Sequence, residues 1–322
     1  MRFSVPLLLA LSLIPSTGLT DDAGVLNVIL ENDAFANTDH HYTSGIMFSY
    51  AGGRNASSPK LQQLLRQFPG ISEKDAIYTG FHIGQQIFTP ENIHSEDLLV
   101  NQRPYAGYLF AGFSLLAAEE YETDSWKLSI GRVGPSARAE EFQTSIHSRL
   151  GVNVAQGWEH QLADETILQF DYHKTWREVL HLADEGLAAD FMPFAGIALG
   201  NAAVHADAGF SLRIGRNLGS DLGPPRMHPS LPNSSIFNAS GGWYFFVGVG
   251  GRYVARNIFL DGNTHLPSHR VEKVDWVGDL QSGWVLNTRN YRLAYTFVAR
   301  SREFENQAEP DGFGSLTLSF RF

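Results

Sequence analysis

The chain has 322 residues, 24 Lys+Arg against 34 Asp+Glu for a formal charge of −10, 43% hydrophobic and 12% aromatic residues, and no cysteine. An acidic chain lacks the cationic footprint that neutralises phosphates, so no nucleic-acid partner is expected. The absence of cysteine removes thiolate nucleophiles, disulfide scaffolds and cysteine-based zinc sites.

In chain order, Arg2 is followed by an apolar run from Val5 to Ile14 and then by Pro15-Ser16-Thr17-Gly18. This is the pattern of a secretory signal peptide, taken here as residues 1–20, with a single mature domain over 21–322. The run is too short for a membrane helix, which needs about 20 apolar residues, and no later run approaches that length. A helical membrane protein is therefore excluded.

The mature sequence alternates with a period of two, most clearly over Val204-His205-Ala206-Asp207-Ala208-Gly209-Phe210-Ser211-Leu212-Arg213-Ile214. Such strands have one apolar and one polar face. Alternation and turn residues predict strands over 25–33, 43–53, 76–88, 106–120, 124–134, 166–176, 189–201, 203–217, 242–257, 271–287, 291–305 and 313–322. An even set of long alternating strands in an exported chain predicts an all-β, twelve-stranded antiparallel transmembrane barrel of the Gram-negative outer membrane. The terminal Phe322, in phase with Phe320, Leu318 and Leu316, resembles the signal read by the barrel assembly machinery. With both termini periplasmic, connections after odd strands face outward. Residues 60–68 have helical periodicity, 177–188 is expected as a long connection, and 218–241 is rich in Gly, Pro, Ser and Asn and is expected as a polar loop.

One outward segment is not a strand. Ser136 through Gly151 is predicted as a short helix in an extracellular loop, with Ser136 as N-cap, Glu140 and Glu141 in the early turns and Gly151 as the stop. Phe142, Ile146 and Leu150 form an apolar stripe, and Gln143 and His147, four residues apart, share an adjacent face. The first hairpin carries Glu31-Asn32-Asp33 and Thr38-Asp39-His40-His41-Tyr42-Thr43-Ser44-Gly45. Its oxygens suit a hard cation such as Ca²⁺, and an Asn-Asp pair equally serves ordinary turn chemistry. Adjacent histidines point apart in extended chain, which disfavours a transition metal.

These pieces, together with Arg103-Pro104-Tyr105-Ala106-Gly107-Tyr108, Gly134-Pro135 and Gly157-Trp158-Glu159-His160-Gln161-Leu162, resemble the outer-membrane lipid A 3′-O-deacylase family. The resemblance implies Ca²⁺-dependent hydrolysis of the 3′ ester of lipid A, releasing the acyloxyacyl group at an outward-facing rim. It matches Asn32, Asp33, Thr43, Gln143 and His147 to active-site positions. His147 is then the general base, Gln143 orients the ring or the water, Asp33 and Asn32 lie at the metal, and Thr43 and Asn32 hold metal or substrate. The sequence departs from the resemblance at Val152 or Asn153, where some relatives carry an acidic residue associated with the metal and for which Glu140, Glu141 or Glu159 could substitute. Lipopolysaccharide and outer-membrane lipids are the implied partners. The alternatives are an outer-membrane phospholipase A, for which no His-x-Ser pair stands on a predicted strand, and a non-enzymatic pore, whose lumen would need charge rings, although Asp207, Arg213 and Arg252 would serve equally well as packing partners.

Overall fold

The computed structural model describes residues 23–33, 42–68, 70–177, 180–184, 186–224 and 236–322. The expected signal peptide, Asp39-His40-His41 and the middle of the 218–241 loop lie outside the described residues. Strands run as β1 (Val25–Asn32), β2 (Tyr42–Ala51), β3 (Ala76–Phe88), β4 (Ala106–Ala118), β5 (Glu122–Val133), β6 (Glu165–Trp176), β7 (Leu180–Asp184), β8 (Leu187–Gly200), β9 (Ala203–Arg216), β10 (Gly242–Asn257), β11 (Trp276–Asn287), β12 (Tyr291–Arg300) and β13 (Asp311–Arg321). Every pairing is antiparallel; β1 pairs with β13, and β6 with β8, so the sheet closes. Closure satisfies every edge, which a span through lipid requires.

β6 and β7 both pair with β8, Thr175 opposite Phe194 and Leu180 opposite Phe191, so the thirteen runs fill twelve strand positions. The expected long connection over 177–188 is therefore mostly strand, ending in a tight turn with Gly186 at φ 88°. What interrupted the alternation is Arg177, buried, whose guanidinium donates to the carbonyls of Glu120 (3.3 Å) and Asp221 (3.1 Å). The expected strand start at 271 is instead loop up to Trp276.

Outward positions form an apolar belt that includes Phe81, Ile83, Leu128, Ile130, Leu168, Phe245 and Leu280, all exposed. Aromatic residues mark both margins. Trp276 and Tyr253 pair at 5.3 Å near one end, and Trp243, Tyr291, Tyr50 and Phe322 gather at the other. This is the outward surface of a barrel seated in a bilayer. The termini meet at that second end, where the Phe322 N–H donates to the Gly24 carbonyl at 3.0 Å. Helix α1 (Pro59–Leu65), capped by Ser58, lies at the same end; α2 (Ala139–Leu150) and α3 (Ile258–Asp261) lie at the opposite end.

The lumen is filled. Phe259 of α3 stacks on Phe88 at 4.0 Å beside Tyr108, Phe110 and Phe313. Over this layer Arg103 pairs with Glu303 (3.5 Å), and Asp279 with Arg300 (2.8 Å) and Arg252 (3.3 Å). Near the termini Arg213 bonds Asp190 (2.9 Å) and Asp221 (3.0 Å), and Tyr244 donates to Asp221 at 2.8 Å. Arg213 and Arg252 are thus packing partners within ion pairs.

Candidate active site

The strand-to-helix junction is built on glycine. β5 ends at Val133, and Gly134 at φ 102° turns the chain into a single 3-10 turn, Pro135–Ala137, before Arg138 in the left-handed region opens α2. Ser136 is not the cap that its position suggested. Its backbone N–H (2.8 Å) and hydroxyl (2.6 Å) both donate to Asp164 across the loop. Burial would raise the Asp164 carboxyl, yet these two bonds and Arg132 hold it below the usual carboxylate range. At the far end the left-handed Gly151, φ 69°, ends the helix as expected.

Strand phase decides which side of the wall the helix occupies. In β3, His82, Gly84 and Gln86 are buried in the lumen, while Phe81 and Ile83 are exposed, so the odd positions point outward. Ile87 shares that outward phase but is only 1% exposed, because Ala139, Tyr105, Ala155 and Trp158 cover it. Gln85, also outward, donates to the Ala137 carbonyl at 2.6 Å. In β4 the outward Gly107 lies against α2 so closely that a Cβ there would come within 2.4 Å of the Ala139 Cβ. Helix α2 is therefore clamped to the outer face of the wall over β3 and β4, at the end remote from the termini.

The ladder registers extend this contact sideways. Asn32 lies opposite Ser44, Ser44 opposite Ile87, and Ile87 opposite Gly107. These four positions form one level row across β1 to β4, and with strands about 4.8 Å apart the row spans about 14 Å. In β1 the inward set is Val25, Asn27 and Ile29, so Asn32 belongs to the outward set, on the same side as α2. Asp33, where the chain leaves the strand, is buried at 2% exposure. Thr43 lies in the bulge between Tyr42 and Ser44, where the β2–β3 register shifts. Asn32 at the end of β1 and helix α2 over Gly107 thus lie on the same outer side of the wall, at opposite ends of this row.

The two helical residues have distinct environments. His147 Nδ1 lies 2.5 Å from the carbonyl oxygen of Asn153. A carbonyl only accepts, so Nδ1 carries a proton, and in the neutral ring the lone pair is on Nε2. Gln143 is 3% exposed and accepts a 2.9 Å bond from the indole N–H of Trp158 at Oε1. Its Nε2 is buried with no hydrogen-bond partner among the described residues. The Phe142, Ile146 and Leu150 stripe turns away from the wall and is exposed.

Of the carboxylates offered for a metal, Glu141 pairs with Arg138 on the exposed helix surface and Glu159 with His160, so neither joins Asp33. Among the described residues no group of three or more His, Asp or Glu is gathered as a metal site. Two features went unread in the sequence. The Asn153 main chain fixes the histidine tautomer, a role any side chain would permit; Trp158, though part of the quoted motif, had no role until its indole was seen on Gln143.

A closed antiparallel barrel with a lipid-facing belt and aromatic girdles is an outer-membrane β-barrel. The family model described as outer membrane protein LpxR matches residues 4–322, and the chain belongs to that family. Among solved structures it is similar to LpxR from Salmonella typhimurium, at 17% identity and TM-score 0.77, covering 92% of this chain and 100% of that one. It is also similar to the β domain of the Bordetella autotransporter BrkA, at 10% identity and TM-score 0.48, covering 94% and 100%. No curated protein matches the chain. Membership of the LpxR family implies lipid A 3′-O-deacylase activity.

Proposed function

We propose that the protein hydrolyses the ester at the 3′ position of lipid A and releases the acyloxyacyl group, with the site at α2 facing the outer leaflet. The observation that carries this reading is the bond of the His147 Nδ1–H to the Asn153 carbonyl, which leaves Nε2 of the neutral ring to accept a proton, one helical turn from Gln143. A water that donates to Nε2 loses its proton as its oxygen attacks the ester carbonyl; the imidazolium then returns the proton to the leaving sugar oxygen. Gln143 Nε2–H donates to that water or to the carbonyl oxygen as charge develops on it. A site outside the wall suits a substrate that arrives by lateral diffusion in the membrane.

Asp33 and Asn32 supply oxygen donors, the kind that hard cations take. They are the residues that would hold Ca²⁺, with water or substrate oxygens completing its shell. Bound there, the ion supplies charge stabilisation for the oxyanion. Thr43, in the adjacent bulge, is assigned in this proposal to contact with substrate or metal.

Two alternatives lose support. A pore requires an open lumen, and this one is occupied by the Phe88–Phe259 stack and the ion pairs above it. A serine nucleophile requires a hydroxyl bonded to the histidine, whereas among the described residues the hydrogen-bond partner of His147 is the Asn153 carbonyl and not a serine. The deciding experiment is mass spectrometry of lipid A from cells expressing the protein, alongside purified protein with Ca²⁺ or EDTA. Loss of the 3′ acyloxyacyl mass, abolished by EDTA, is expected. Unchanged lipid A with cleaved phospholipid would overturn the reading, and EDTA-insensitive cleavage would remove the ion from it.

A further inference from the structure

Gln143 combines two features that seldom coexist. One end of its amide is fixed by a hydrogen bond, and the other is a buried donor with no partner among the described residues. A buried unsatisfied N–H is costly, so such a group calls for an explanation in function. An amide has two chemically opposite ends, and it turns over freely unless a neighbour distinguishes them. Trp158 Nε1–H is a donor only, so it tolerates Oε1 and rejects the amide nitrogen. That choice alone determines that Gln143 offers the site a donor and not an acceptor.

Trp158 is itself held rigidly. It is 2% exposed, its ring lies 5.0 Å from that of Tyr105, and Ile87, Ala139 and Ala155 complete its pocket. The preceding Gly157 admits the Tyr105 ring at a distance where a Cβ would sit 2.7 Å from it. The indole lies on the wall side of α2, and Gln143 lies one helical turn before His147. The two side chains are therefore neighbours on one helix face.

We propose that Trp158 is a positioning residue for ester hydrolysis: its indole N–H locks the Gln143 amide so that Nε2–H donates to the attacking water or the oxyanion while His147 Nε2 accepts the proton. The water then accepts one bond from Gln143, donates one to His147 and keeps a lone pair directed at the carbonyl carbon. The inference rests on the deacylase reading above.

The test is a double-mutant cycle in detergent-solubilised protein on lipid A, with heat-modifiable gel migration confirming a folded barrel in each variant. Trp158→Phe keeps the aromatic packing and deletes the donor. It is expected to lower kcat about tenfold, the worth of one hydrogen bond, with KM within about twofold. In a Gln143→Ala background the same change is expected to have no further effect. Gln143→Glu keeps an acceptor for the indole but donates nothing, and is expected to match Gln143→Ala. If Trp158→Phe leaves the barrel unfolded, benzothienylalanine, which puts sulfur in place of N–H in the same ring frame, makes the measurement. Full kcat in the variant lacking the N–H, or an equal loss with and without Gln143, overturns the positioning role alone. Failure of the wild-type protein to deacylate lipid A overturns the deacylase reading and this inference with it.

Discussion

Replacing His147 by alanine isolates the base. The side chain is part-exposed on α2, makes one bond, to the Asn153 carbonyl, and fills no core cavity, so the barrel is expected to fold and migrate as the wild type does. The chemical loss is large by comparison. General-base transfer contributes about 10²–10⁴ in rate, or about 3–5 kcal/mol of transition-state stabilisation. Substrate contacts from the wall and hairpin remain, so the fall is expected in kcat rather than KM. Asn153→Ala should cost far less, because it leaves the main-chain carbonyl in place. The assay is the initial rate of acyloxyacyl release from purified lipid A, quantified by mass spectrometry at saturating Ca²⁺. Deacylation by His147→Ala within tenfold of wild type would refute the base assignment, and a loss in Asn153→Ala equal to that in His147→Ala would refute the tautomer argument.

Two further perturbations test the frame around the site. Gly107→Ala inserts a methyl where the Ala139 Cβ lies 2.4 Å away, so it is expected to lift α2 off the wall; a displacement of about 1 Å costs about 10² in activity. Gly251→Ala, with nothing within 4 Å, is the control and should be silent in the same assay. Glu303→Gln leaves Arg103, Arg300 and Arg252 facing one fewer anion, which is expected to destabilise the barrel by about 3–5 kcal/mol in urea titrations followed by tryptophan fluorescence. Burial alone would raise the Glu303 carboxyl, but Arg300, Arg103 and Arg252 hold it below its ordinary value. A depressed carboxylate contributes its stability fully above the unfolded pKa of about 4.3 and loses it as pH falls through the folded value. The wild-type cap is therefore expected to be insensitive between pH 5 and pH 8 and to loosen only at more acidic pH; equal acid sensitivity in Glu303→Gln would refute the assignment.

How far the sequence was legible follows from what each feature depends on. Strand alternation is local, so Val204 through Ile214 announced itself, and all twelve positions were found with ends within a few residues. The errors lie where a long-range contact overrides the period. Arg177 turns inward to two distant carbonyls and hides a continuing strand, and Ser136 forgoes the helix cap because Asp164, 28 residues on, captures it. Gln143 and His147 were visible as an i, i+4 pair, but their spacing says nothing about which side of the wall they serve. That needs the phase of β3 and the burial of an outward Ile87, which only the assembled sheet supplies. The same phase bears on the proposed site: between α2 and the outer wall it would meet the membrane from which a lipid substrate comes, whereas a site within the Phe88–Phe259 layer of the lumen would not.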